Sequence, residues 1–324
     1  MIWARVGILL LGLLHSAAAY FYFSRSRHAG VWAAGWIAFA AATAWLLPEQ
    51  PLAAYAMFAG AIVLWTIWWA SIRALPRRQW VEENAHQATG EIEGNLVTIR
   101  NLRAFEWSGR RDYEPRWEAA VFDLDALEAV DLFTSTWGDP RIAHLVVSFV
   151  FRGAEPLAFS IETRRETDEF WSGLAGFMKS FELIVIAARE TDVVRVRTNI
   201  RGETVHRYRL VLSPGMRQRL LAQYVDELNA VAKRPRFYNT LFANCTTEVA
   251  RILRASGRPL PWSASLLLSG FVPRYFHRIG LIDDTRPFAE VEREADIGAR
   301  ARDESGDPDF SRRIRSRTPE EACR

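Results

Sequence analysis

Apolar residues dominate the chain almost without interruption as far as about residue 75, and beyond it they alternate with polar ones. Three apolar runs occupy residues 3 to 23, 30 to 47 and 52 to 75, each near the ~20 residues that a helix needs to cross a bilayer core. Ser24-Arg25-Ser26-Arg27-His28 separates the first two runs, and Pro48-Glu49-Gln50-Pro51 separates the second from the third. No small-residue cleavage site leads from the first run into polar sequence, so the pattern predicts three transmembrane helices and not a signal peptide. Ala34, Ala38 and Ala42 recur every fourth residue in the second run, the small-residue stripe that lets membrane helices approach closely. Trp65, Trp68 and Trp69 fit an interfacial belt, with Arg73, Arg77 and Arg78 behind them. The membrane region is therefore read as residues 1–78.

From about Val81 the pattern becomes that of strands: Leu96 to Ile99, Trp117 to Phe122, Val130 to Phe133, Ile142 to Phe151, Leu157 to Ile161 and Leu183 to Ile186. Arg152-Gly153-Ala154-Glu155-Pro156 predicts a tight hairpin between the fourth and fifth. Ser213-Pro214 opens a long amphipathic helix carrying Leu220, Leu221, Tyr224, Val225 and Leu228. A second helix starts after Asn244 with Val249, Ile252 and Leu253, and Ser263 to His277 reads as a third. Strands precede helices, which predicts an α+β domain over residues 79–292 with a mostly antiparallel sheet packed on helices. Charge dominates from Arg293, so residues 293–324 read as a solvated, disordered tail.

Composition narrows the chemistry. The formal charge is only +3 over 324 residues, Lys179 and Lys233 are the only lysines, and the arginines are scattered. No helix-turn-helix, zinc finger or Gly-rich phosphate loop is visible, so no nucleic-acid partner is expected. The two cysteines, Cys245 and Cys323, cannot frame a zinc site, and the six histidines show no spacing that pairs with them. No metal, cofactor or structural disulfide is expected.

One arrangement could carry catalysis. Asn244 is a good N-cap and Glu248 falls in the first turn, so Cys245 would lie beside the unpaired N–H groups of a helix start, a place that favours thiolate. The best base is His144, which opens an apolar strand. The competing reading is a small core hydrophobe, the usual role of a free cysteine. A third group should come from the neighbouring strand, where Ser160, Glu162 or Thr163 lies opposite or diagonal to His144; Glu162 is the first choice and Ser160 its substitute. The backbone N–H of Cys245 is the natural oxyanion donor, to which Asn244 or Tyr238 could add a side chain.

Four stretches in order, Ala143 to Phe149, Leu157 to Arg164, Val196 to Glu203 and Phe237 to Thr247, resemble the Lnb N-terminal periplasmic domain family, over a block from about Val97 to Arg254. The resemblance implies a permuted papain-like domain, with histidine on an early strand and cysteine on a later helix. It also implies a lipoprotein transacylase-like activity at a Cys245 and His144 site in the bacterial inner membrane, with a membrane lipid or lipoprotein as substrate. Arg197, Asn199 and Arg201 match one of its motifs and become possible substrate contacts, with Tyr238 and Asn244. A papain-like hydrolase of the cell envelope, or a non-enzymatic tethered domain, are the alternatives. Topology is contested: the basic residues of the first loop and those after the third span share one side, which taken alone would make the large domain cytoplasmic, whereas the family is periplasmic.

Overall fold

The computed structural model describes residues 2–23, 28–169, 173–302, 307 and 309–316. It divides into two compact units, Met1–Gln79 with Arg165–Glu182 and Arg236–Thr240, and Trp80–Arg164 with Leu183–Pro235 and Leu241–Arg324.

The first unit is built on α1 (Ile2–Tyr22), α2 (Ala29–Leu46) and α3 (Pro51–Ser71), all long and apolar enough to cross a membrane. Ile8, Ala40, Ala44, Leu47, Ala54 and Phe58 form their shared core. The predicted alanine stripe is not the packing face: Ala34, Ala38 and Ala42 are exposed. The close approach lies instead between Gly12 and Ala40, where a side chain on Gly12 would collide with the Ala40 methyl at 2.3 Å. The helical period, set by Ala40, Ala44 and Leu47, turns the other alanines outward. The Arg165–Glu182 segment of this unit holds the end of α3 and the residues after it. Leu75 N–H donates to Glu182 Oε1 (3.2 Å), Arg78 pairs with Glu166 (2.6 Å), and Lys179 Nζ donates to the Trp69 carbonyl (2.6 Å).

The second unit holds β1 (Thr89–Glu93), β2 (Leu96–Arg103), β3 (Glu106–Trp107), β4 (Tyr113–Glu114), β5 (Trp117–Asp123), β6 (Leu127–Thr136), β7 (Ala143–Phe151), β8 (Ala154–Arg164), nearly all of β9 (Glu182–Arg189) and β10 (Thr204–Arg209). The main sheet runs β1-β2-β9-β8-β7-β6-β10, with β5 added on β2, and β3 pairs with β4 apart from it. Pairing is mostly antiparallel, with β2 and β9 meeting in parallel at Arg103 and Ala188. The helices are α4 (Glu190–Val193), α5 (Pro214–Lys233), α6 (Cys245–Ala255), α7 (Val272–Arg278), α8 (Phe288–Ala295), α9 (Gly298–Ala301) and α10 (Phe310–Arg313). This is an α+β fold. Each predicted strand is present, five of them extended by one to several residues and the fourth starting one residue later at Ala143, whereas Ser263 to His277 forms two single 3₁₀ turns before the short α7. Pro273 fixes where that helix can start.

The C-terminal segment corrects the expectation of a solvated tail. Phe310 and Ile314 are fully buried in one core with Ile186, Val193 and Ile297. Arg315 follows them inward, donating from Nε to Asp131 Oδ2 (3.0 Å) and from Nη1 to Glu190 Oε2 (2.7 Å). Two buried carboxylates on β6 and α4 therefore depend on a cation that follows α10. The remainder of the expected tail, residues 303–306, 308 and 317–324 with Cys323, lies outside the described residues. Arg315→Ala should cost about 3–5 kcal/mol, the penalty for stranding a buried charge. A urea titration of the full chain followed by tryptophan fluorescence measures it, and a loss below about 1 kcal/mol would rule out the clamp.

Candidate active site

Asn244 caps α6 as the sequence suggests: its Oδ1 accepts the N–H groups of Thr246 and Thr247, both at 2.9 Å, and Thr247 Oγ1 accepts from the Asn244 N–H (2.9 Å). This reciprocal box uses the second and third N–H groups of the helix. The first, that of Cys245, has no partner among the described residues and remains free for a ligand oxygen. The Cys245 sulfur is buried, 3.9 Å from Thr246 Oγ1, and near enough to the backbone N–H of Leu145, the residue after His144, for that group to favour its anion.

His144 sits at the start of β7 between two polar neighbours. On one side Ser135 of β6 pairs with it directly across the ladder. On the other, β8 places Ser160 diagonally, because Ser160 pairs with Val146 two residues on. The imidazole Nε2 lies 2.7 Å from Ser160 Oγ, Ser160 donates its own proton to Glu162 Oε1 (2.7 Å), and Nε2 is 3.6 Å from that carboxylate. The chain of donors fixes the tautomer. A hydroxyl that gives its proton to Glu162 can only accept from the ring, so Nε2 carries the hydrogen and Nδ1 keeps a lone pair.

Glu162 is in turn held by Arg197, whose Nη2 donates to Oε1 at 2.9 Å. Arg197 comes from a short π-helical turn, Val196–Ile200, that follows α4; the turn pulls its guanidinium inward, where Nη1 also meets the Val193 carbonyl. Burial alone would push the Glu162 carboxyl up, but Arg197, with smaller help from His144 and Arg103, holds it well below the usual carboxylate range. His144 is driven the other way: burial first, then Arg197, lower its pKa to about 3 against the pull of Glu162. The resting imidazole is therefore neutral at physiological pH.

The thiol departs from the sequence argument. Burial pushes Cys245 up, outweighing the N–H groups of Leu145 and Thr246 that favour the anion. A helix start supplies dipoles but not hydration, and in this buried setting desolvation wins. The resting pair is thiol and neutral imidazole, and among the described residues no hydrogen bond joins them.

The other candidates separate. Arg201 stands beside Glu203, which Ser135 binds, so it belongs to the surroundings of His144. Asn199 accepts from Thr198 Oγ1 (2.6 Å) within the π turn. Tyr238 lies in the first unit, its N–H on the Phe181 carbonyl (2.9 Å). Arg103 and Asp192, absent from the sequence-derived candidates, form a buried pair at 2.8 Å whose carboxylate also takes the N–H of Phe105 (3.1 Å) and the Trp107 indole (2.8 Å). No local pattern marks either residue; only the fold brings them together.

The family model of the Lnb N-terminal periplasmic domain matches residues 113–270. Over this segment the chain is similar to that family. The match begins later than the Val97 read from the motifs and runs past Arg254, and it contains every candidate site residue. No curated protein and no solved structure matches the chain. With three candidate spans ahead of it, the Lnb domain makes this a membrane-anchored protein with a periplasmic domain. The charge count pointed to the other side of the membrane, but large domains translocate largely regardless of charge.

The raised thiol pKa gives a direct expectation. Less thiolate exists at neutral pH, so Cys245 should react with iodoacetamide more slowly at pH 7 than free cysteine, and its rate should climb through pH 9 and beyond. Mass spectrometry of the alkylated peptide across pH reads this; an inflection below pH 8 would instead reveal a pre-formed thiolate and imidazolium pair.

Proposed function

We propose that the Lnb domain is a cysteine acyltransferase of the bacterial inner membrane, arranged like the permuted papain-like enzymes. Cys245 takes an acyl group from the ester of a membrane lipid or lipoprotein and passes it to an amine, as in lipoprotein transacylation. The observation that carries the reading is a buried cysteine at the start of α6, close to the N–H of Leu145 and so to the strand position after a histidine whose Nδ1 keeps its lone pair.

In the first half-reaction the sulfur attacks the ester carbonyl as Nδ1 takes the thiol proton. The C–S bond forms, the ester C–O bond breaks, and His144 returns the proton to the departing alkoxide. In the second, an amine attacks the thioester, the C–S bond breaks, and the amine proton passes through His144 back to sulfur. Each transition state puts negative charge on the carbonyl oxygen, which the uncommitted Cys245 N–H can meet. Positive charge on the imidazole is balanced by Glu162 through Ser160, so the ion pair absent at rest forms only as the proton moves.

Apolar residues around the pair support a lipid substrate. Leu241 and Phe242, the latter 80% exposed, precede the cysteine by a few residues. Ile142, Leu267, Leu268 and Phe271 are exposed where Ser269 Oγ accepts the Ala143 N–H (2.7 Å), at the root of His144. A hydrolase using water in place of the amine would not need this apolar rim.

Mass spectrometry of a lipoprotein co-expressed with the intact chain or with Cys245→Ala tests the proposal. The N-terminal amide-linked acyl chain should appear with the former and fall at least about 10³-fold with the latter. The same acyl positions in both would end the acyltransferase reading.

A further inference from the structure

The ends of α1 and α3 share one cluster of aromatic side chains. The ring centres of Tyr22 and Phe23 lie 5.4 Å and 5.6 Å from that of Trp68, and Trp65 stacks on Trp69 at 4.9 Å. Such a belt marks the headgroup level of a bilayer, so a residue that touches it is placed in depth as well as in the fold. Lys179 is such a residue. Its Nζ donates to the Trp69 carbonyl at 2.6 Å and stands 5.3 Å from the centre of the Trp69 ring and 5.6 Å from that of Phe237. Beside it Ser180 Oγ donates to the Phe21 carbonyl at 3.4 Å, which ties the same segment to the end of α1. Leu174 and Phe177, just ahead of Lys179, are exposed apolar residues, as expected of a segment lying at an interface.

The cations at this level are not balanced. Arg78 takes both buried acids of the Arg165–Glu182 segment, Glu166 at 2.6 Å and Glu182 at 3.2 Å. Arg73, exposed just beyond α3, and Lys179 have no ion pair among the described residues, and the Arg73 guanidinium has no hydrogen bond there either. Burial first, and then the charge of Arg73, lower the Lys179 pKa, with no carboxylate acting against them. Lys179 spends one N–H on the Trp69 carbonyl and keeps two. Two like charges therefore meet at the depth of lipid phosphates with donors to spare, and an arriving anion relieves their repulsion.

We propose that Arg73 and Lys179 hold the phosphate of a net-anionic phospholipid, of the phosphatidylglycerol class, in the leaflet where α3 ends. A zwitterionic headgroup brings an ammonium along with its phosphate and meets the pair with a like charge; a phosphodiester of an uncharged alcohol does not. The aromatic rings next to the pair offer apolar surface to the glycerol and the first methylenes of the lipid chains. The bound lipid steadies the end of α3 and gives nothing to Cys245, whatever reaction that residue carries out.

Native mass spectrometry of the full chain, released from nanodiscs of phosphatidylethanolamine with a small fraction of phosphatidylglycerol, counts the lipids that stay on the protein. The intact chain should retain phosphatidylglycerol in preference to phosphatidylethanolamine. Arg73→Gln takes no partner from the fold and should weaken phosphatidylglycerol binding about fivefold, the effect of one cation at a charged headgroup. Adding Lys179→Gln should bring the loss to about 20-fold, whereas Lys179→Arg alone should keep the lipid. Lys233→Gln, which removes an exposed charge from the end of α5, should change binding less than about twofold. No preference for phosphatidylglycerol, an unaltered double variant, or an equal loss in Lys233→Gln overturns the site. Calorimetric titration in detergent with short-chain phosphatidylglycerol and with inorganic phosphate separates the two sources of phosphate. Tighter binding of the lipid supports the proposal, and equal or tighter binding of inorganic phosphate overturns it by assigning a free anion.

Discussion

The pair of buried Arg197 and partly buried Glu162 is what the site depends on. Without the arginine, burial would favour a neutral Glu162 carboxyl, which would no longer need the Ser160 proton. The direction of hydrogen bonding along Glu162, Ser160 and His144 would then be free to reverse, and the ring could present the wrong nitrogen. One ion pair, formed between β8 and a π-helical turn, thus determines which atom of a histidine on β7 can act as base. The cost of burying both charges is offset by the hydrogen bonds each makes in addition, to Ser160 and to the Val193 carbonyl.

Much of this was legible in the chain. The apolar runs, the strand alternation, the Asn244 cap and the hairpin at Gly153 are local patterns, and local patterns survive folding. The hairpin register narrowed the partner of His144 to a few residues, because strand pairing has a fixed period. The order of Ser160 before Glu162 along the hydrogen-bond chain was not legible, since it turns on which side chain is diagonal and not opposite. The protonation state of Cys245 was misjudged for a similar reason: helix position can be read from sequence, but the depth of burial against β7 cannot. Arg197, taken as a substrate contact, points inward because of a π turn that no sequence period announces.

The C-terminal segment shows a different limit. Its charge density matches that of a solvated tail, and a few apolar residues, Ile297, Ala301, Phe310 and Ile314, distinguish it. Charge density describes solvation well when charges have no partners. Here Arg315 has two, and they lie 184 and 125 residues earlier in the chain.

That separation bears on how the protein is made. Asp131 and Glu190 emerge long before Arg315, and until it arrives Asp131 meets only Arg207 and Arg209 while Glu190 has Ser148 alone among the described residues. The sheet that carries His144 therefore cannot settle into its final charge balance on a partly delivered chain. Arg315 closes a charge balance opened far ahead of it, and a chain that stops short of it leaves Glu190 in the core with no cation among the described residues.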